Sequence, residues 1–399
     1  MDLQVVKNHA RRVILETCLL DNCRVFPDKR VLYWPSFASA VEKIVTIDHL
    51  QAIEVRFCDY CCRMGTVKFG PEELTTLEAP LNAIYKAVKK REERMLRHKM
   101  AQISPIRELK LKNFLDPYPP KALESLLKGI QRLHIELLDE NQKAPTDFRT
   151  WYKSSFEHTL EHTILVPAMN QLVELTLSSH FDWGSLPSQF RGKDLVFPNL
   201  KTLRLSHFVI GHNDQFDWIL NQKTLTCLRL HRCAIITHLY FSDNMMYAWE
   251  AWEVDTSDWE RRNTQRDEHH PLAGIHTYTF DLRWKTLFNN IREGLPKLIK
   301  FGLILPLSKE GLLDDVDAAA TIRDDTNWFM LQAYTYSDMT YCEWPFPRGW
   351  FGRGCYTNLS QLEGGGDNGD AAQAIDAAHE ADVQALNDLI QATFERRGD

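Results

Sequence analysis

Two stretches share one arrangement of apolar and polar positions. LKTLRLSHF (200–208) and LTCLRLHRC (225–233) both read L-x-x-L-x-L, then two polar residues, then Phe or Cys. The alternation predicts short strands, with Leu203 and Leu205, or Leu228 and Leu230, on one side and Arg204 or Arg229 on the other. Weaker copies begin at Ala10 (Ala10, Val13, Leu15), Leu50 (Ile53, Val55, Cys58), Ile106 (Leu109, Leu111, Phe114), Ile130 (Leu133, Ile135, Leu138), Leu172 (Leu175, Leu177) and Leu298 (Phe301, Leu303). A last strand is expected from Trp328. Helical spacing separates several of them: 37–47, a charged segment 80–100 with Ile84, Val88, Met95 and Leu96 on one side, a short helix near 121–129, and a segment stopped by Gly294 and Pro296.

A strand of this form followed by a helix is the unit of a leucine-rich repeat, which buries too little to stand alone and must stack on its neighbours. The expected fold class is therefore α/β: an irregular leucine-rich-repeat solenoid with a curved parallel sheet and helices on the convex side. The repeat spacing varies from about 24 to about 42 residues, wider than the usual range. The solenoid is expected over 1–361 as one continuous core, with an aromatic, charged insertion at 234–280. An acidic Gly-rich linker (362–374) and an amphipathic helix (375–399) follow, the latter carrying Val383, Leu386, Leu389, Ile390 and Phe394 on one stripe.

Of 399 residues, 44% are apolar, and 47 Lys and Arg against 54 Asp and Glu give a net charge of −7. That balance provides no broad basic surface for nucleic acid. Nine cysteines without a secretory leader point to free thiols in a reducing compartment. No uninterrupted apolar run reaches about eighteen residues, so no membrane contact is expected. The expected location is intracellular, cytoplasmic or nuclear. Phosphate-loop and G-x-S-x-G strings are absent, and the glycines at 364–366 open no helix; no cofactor and no enzyme activity are expected.

Four features could carry chemistry. His158, Glu161 and His162 form H-x-x-E-H, which on a helix could hold zinc with Glu161 as general base; a zinc metallopeptidase is the alternative reading, against a plain polar helix. Cys58, Cys61 and Cys62 supply half of a zinc site without the second half. KKREERMLRHK, from Lys89, reads as a solvated helix face because Glu92 and Glu93 interleave its cations. Trp249, Trp252 and Trp259 are either core or interface. Partner binding is expected elsewhere, on the concave face, through Lys110, Lys112, His134, Arg204, Arg229 and His231, with an acidic or phosphorylated protein segment as ligand.

The combination of FPNLKTLRLSHF, DWIL at 217–220, TLTCLRLHRC and RWKTLFNNIREGLPKLIKF (283–301) resembles the fungal F-box and leucine-rich-repeat proteins over roughly 10–341. The resemblance implies a non-enzymatic scaffold that holds a substrate protein for a cullin-RING ubiquitin ligase. The family's F-box is a compact helical segment ahead of the repeats, whereas repeat-like sequence here starts at Ala10. Binding to the Skp-type adaptor is thus expected only where an F-box lies upstream.

Overall fold

The computed structural model describes residues 9–17, 36–57, 72–98, 103–114, 119–137, 156–179, 183–184, 190–242, 255–262, 275–304, 341–344 and 369–398. They belong to two compact units, 1–180 with 195–200, and 181–194 with 201–399.

The first unit is α/β. Its strands β1 (Arg12–Glu16), β2 (Ala52–Arg56), β3 (Glu108–Lys112), β4 (Arg132–Leu137) and β5 (Glu174–Ser179) pair in that order, all parallel. Each coincides with a predicted repeat strand, and the leucines stack in register: Ile53, Leu109, Leu133 and Leu175 form one row, Val55, Leu111, Ile135 and Leu177 the next. All eight are buried. Its helical elements are α1 (Ser36–Glu42) running into a 3₁₀ turn (Lys43–Thr46), α2 (Glu72–His98), α3 (Lys121–Leu127), and a π-helical turn (Leu160–Leu165) leading into α4 (Val166–Ala168). Pro167 follows this widened turn; its ring would clash with the carbonyl four residues back in α geometry.

Helix α2 corrects one expectation. Its inward stripe is Leu81, Ile84, Val88 and Arg91, so Leu96, 76% exposed, faces solvent. The step of three or four residues from Arg91 lands on Met95 and leaves Leu96 about 100° further round.

The second unit has two sheets. Strands β6 (Thr202–Ser206) and β8 (Cys227–His231) are parallel, and β12 (Lys300–Ile304) extends them on the β8 side. Between these in sequence come β7 (Val209–Ile210), β9 (Ala234–Ser242), β10 (Glu260–Arg262) and β11 (Ile275–Thr279); with β13 (Tyr341–Trp344) they form a second sheet ordered β10-β11-β9-β13, β7 lying beside β9. The expected insertion 234–280 therefore contributes three strands. The strand expected from Trp328 lies outside the described residues. Helices α5 (Asp217–Leu220), α6 (Trp284–Gly294) and α7 (Gly369–Glu395) complete the unit. Helix α7 starts inside the stretch expected to be a linker and packs on α6 through buried Ala385, Leu386 and Leu389.

Three strands end alike. Asn113, His207 and Arg232, the residues just after β3, β6 and β8, are left-handed, with φ of 58°, 54° and 51°. Each precedes the Phe or Cys that closes the sequence pattern, and each of these, Phe114, Phe208 and Cys233, is buried. The kink lets that side chain turn into the core, at a conformational cost that Asn bears more easily than His or Arg. Phe208 then joins Trp183, Phe190 and Trp218 in an aromatic cluster. Gly184 lies under it with φ +94°, where a Cβ would fall 2.3 Å from the Phe208 ring.

Leu203 and Leu228 are directly paired and fully buried. Replacing either by Ala should cost about 2–5 kcal/mol, and the two losses should be non-additive because the side chains are neighbours. Chemical denaturation of both single variants and the double variant checks this, and unchanged midpoints would overturn the register.

Candidate functional site

The six residues nominated for partner binding all lie on the strand face opposite the leucines, and the face differs in charge between the two units. In the first, Glu54, Lys110, His134 and Thr176 are in register, as are Arg56, Lys112, Glu136 and Ser178. Arg12 and Arg56 reach Glu54 at 2.5 and 2.8 Å, Lys110 lies 3.8 Å from Glu54 and 3.9 Å from Glu136, and Lys112 lies 3.3 Å from Glu136. Burial alone would raise the Glu54 pKa, but the Arg56 hydrogen bond and the charges of Lys110, Arg56 and Arg12 outweigh it and hold the carboxyl below its usual range. The His134 Nδ1 is 2.9 Å from the Thr176 hydroxyl. Five cations (Arg12, Arg56, Lys110, Lys112, Arg132) face five carboxylates (Glu16, Glu54, Glu108, Glu136, Glu174) across β1–β5. Lys110, its side chain 15% exposed, belongs to this internal ladder and is not displayed to solvent as the sequence suggested.

The strands β6, β8 and β12 of the second unit carry cations of their own. The rows are Thr202, Cys227 and Lys300; Arg204, Arg229 and Gly302; Ser206, His231 and Ile304. The three strands hold Arg204, Arg229 and Lys300 and no acidic residue. Burial raises the Cys227 thiol pKa, while the charges of Arg229, Arg204 and Lys300 oppose that rise, so all three cations act at one point of the face. Arg204 is half-buried and Lys300 exposed; Arg229 is only 7% exposed, which corrects the expectation that it stands in solvent. The His231 ring sits edge-on to His207, centroids 5.9 Å apart.

One cluster has no signal in the sequence. Arg191 donates to Asp255 at 2.6 Å and Asp214 at 3.2 Å, and its second nitrogen lies 3.2 Å from His212 Nδ1. Asp258 in turn is 3.1 Å from that Nδ1 and accepts from the Asn213 amide. Burial and the Arg191 charge push the His212 pKa down, against Asp258 and Asp255. The sign follows directly: the unfolded chain binds more protons than the fold, so stability falls as pH drops through about 6.5 and levels off below the folded pKa. Asp255, depressed by hydrogen bonds from Ser257 and by Arg191, gives a second loss in stronger acid as pH falls through its folded pKa. Urea melts between pH 7.5 and 4.5 should show the first loss in the parent and not in His212→Gln.

The remaining candidates separate. His158 and His162 are exposed with ring centroids 4.4 Å apart, and Glu161 is half-exposed. Among the described residues no three His, Cys, Asp or Glu are grouped to hold a metal ion. The basic run from Lys89 is not wholly a solvated face, since Arg91 is buried. Trp259 is buried against Phe280, centroids 5.0 Å apart, which makes it core. Cys58, Cys61, Cys62, Trp249 and Trp252 lie outside the described residues; Cys227 and Cys233 are free, buried thiols. No described helix is long and apolar enough to cross a membrane. No family model matches the chain, and no curated protein matches it significantly.

Proposed function

We propose that the chain is a non-enzymatic recognition scaffold of the leucine-rich-repeat type. It holds an acidic or phosphorylated segment of a partner protein against the strand face of the second unit. The observation that carries this reading is the grouping of Arg204 and Arg229 in one row of neighbouring strands, with Lys300 beside Cys227 one row earlier on that face, in a protein of net charge −7. A patch of one sign steers a ligand of the other, and guanidinium groups pair with carboxylate or phosphate oxygens in bidentate fashion. His231 lies one row further along the strands. Lys110, Lys112 and His134, on the balanced face, contribute order and not net attraction.

The solenoid arrangement is supported by eight parallel strands that repeat one apolar template and by three identical left-handed exits. The role in a ubiquitin ligase rests on the sequence resemblance alone.

Fluorescence polarisation with labelled Glu-rich and phosphoserine peptides tests the binding reading. Affinity should fall steeply with salt and drop at least tenfold in the Arg204→Glu, Lys300→Glu variant, while Arg12→Glu leaves it unchanged. Lys300 is exposed, where substitutions usually shift stability by about half a kcal/mol or less; Arg204 is half-buried, so circular dichroism verifies that the variant folds. Peptide binding unaffected by the reversal would sink the reading. A pulldown with purified Skp-type adaptor tests the ligase role separately: stoichiometric binding would support it.

A further inference from the structure

The H-x-x-E-H string takes no part in strand-face binding, yet its two imidazoles are brought together. His158 and His162 project from one side of a helical segment whose opposite side, Phe156, Leu160, Ile164 and Leu165, is fully buried. That anchoring fixes the backbone beneath the rings, the pre-organisation a ligand site needs. The backbone changes from α to π geometry at Leu160, between the two histidines, and such turns are rare and recur at functional sites.

The ring separation is of the size that two imidazoles on one ion require. With imidazole nitrogen about 2.0–2.1 Å from a metal, two rings at a right angle on one ion have centroids about 4.5 Å apart, whereas a tetrahedral angle opens them to about 5.2 Å. The observed 4.4 Å fits the right angle. We propose that His158 and His162 form a surface chelate for a divalent ion that takes cis ligands at 90°, the nickel or copper(II) class, for which imidazole is a preferred donor. Two protein ligands leave the remaining coordination positions to water or to a side chain from another molecule. This is a binding site and not the hydrolytic centre of a peptidase, which needs three protein ligands. It is independent of the strand-face reading.

Isothermal titration of the full chain with Ni²⁺ at pH 7.5 tests it, with Zn²⁺ as comparison. One Ni²⁺ per chain is expected with micromolar affinity, weakened at least tenfold by His158→Ala and equally by His162→Ala. Both side chains are exposed, so both variants should fold, which circular dichroism verifies. Full-affinity binding that survives in the double variant would place the ion on the cysteines or other histidines and overturn the proposal, and so would absence of binding or dependence on one histidine alone.

Discussion

Replacing Arg91 by Met should destabilise the first unit by about 3–5 kcal/mol, the largest effect expected of any single surface-charge run in this chain. The Arg91 guanidinium is buried and donates to five carbonyls: Ile44 at 3.3 Å, Ile47, Asp48 at 2.6 Å, Leu50 at 3.2 Å and Ser104 at 2.9 Å. Four of these belong to the 3₁₀ turn and the residues that lead from it into β2; the fifth lies just ahead of β3. Arg94 adds the Val45 carbonyl at 2.8 Å and the Asp48 carboxylate at 2.9 Å. One cation thus serves a whole helix-to-strand connection, adding a second donor to the carbonyls of Ile44, Ile47 and Asp48, which also accept the amides of Ile47, Leu50 and Ser104. Burial lowers the Arg91 pKa to about 10, against the Asp48 charge, so it remains protonated at neutral pH. Lysine should not rescue, since an ammonium has three donors at one point and cannot span five acceptors. Urea unfolding of Arg91→Met and Arg91→Lys, followed by hydrogen exchange at 44–50, reads the effect. A midpoint within experimental error of the parent would show that the carbonyls find other partners.

That arginine marks the limit of what the sequence discloses. The eight parallel strands are legible because a two-residue period of leucines is a local signal, repeated often enough to outweigh weak copies such as the one at Val13 and Leu15. Helix α2 is legible as a helix, but not the inward direction of Arg91, because its partners lie more than forty residues away for four of its five bonds. The candidate site divides in the same way. Its residues and their common face follow from alternation. Whether a lysine there is displayed or neutralised depends on which strand lies beside it, and the Glu54–Lys110–Glu136 ladder requires the register of three strands. The Arg191 cluster joins residues up to 64 apart and has no local pattern at all.

Removing residues 379–399 should lower the stability of the second unit, with point variants dividing the loss between the two ends of α6. Helix α7 runs parallel to α6: Asp382 meets its start, and Arg396 and Arg397 meet the carbonyls at and beyond its end. Parallel neighbours align their dipoles unfavourably, and charges of the right sign at each end offset that. The N-cap residue Arg283 provides no side-chain cap. Asp382, fully buried, supplies it by accepting from the Lys285 amide at 2.7 Å. At the far end Arg396 donates to the carbonyls of Arg292 at 2.6 Å, Leu295 at 2.9 Å and Leu298 at 3.3 Å. Asp382→Ala and Arg396→Ala should each cost about 1–2 kcal/mol. The ends of an eleven-residue helix stand roughly 15 Å apart, so the double variant should lose about the sum. Leu389→Ala, between them and fully buried, should cost about 2–5 kcal/mol. Hydrogen exchange distinguishes capping from general loosening: Asp382→Ala should speed exchange at Lys285 selectively, whereas Leu389→Ala should speed it along the whole of α6. Uniform acceleration in both, or none in either, would mean that α7 does not cap α6 in solution.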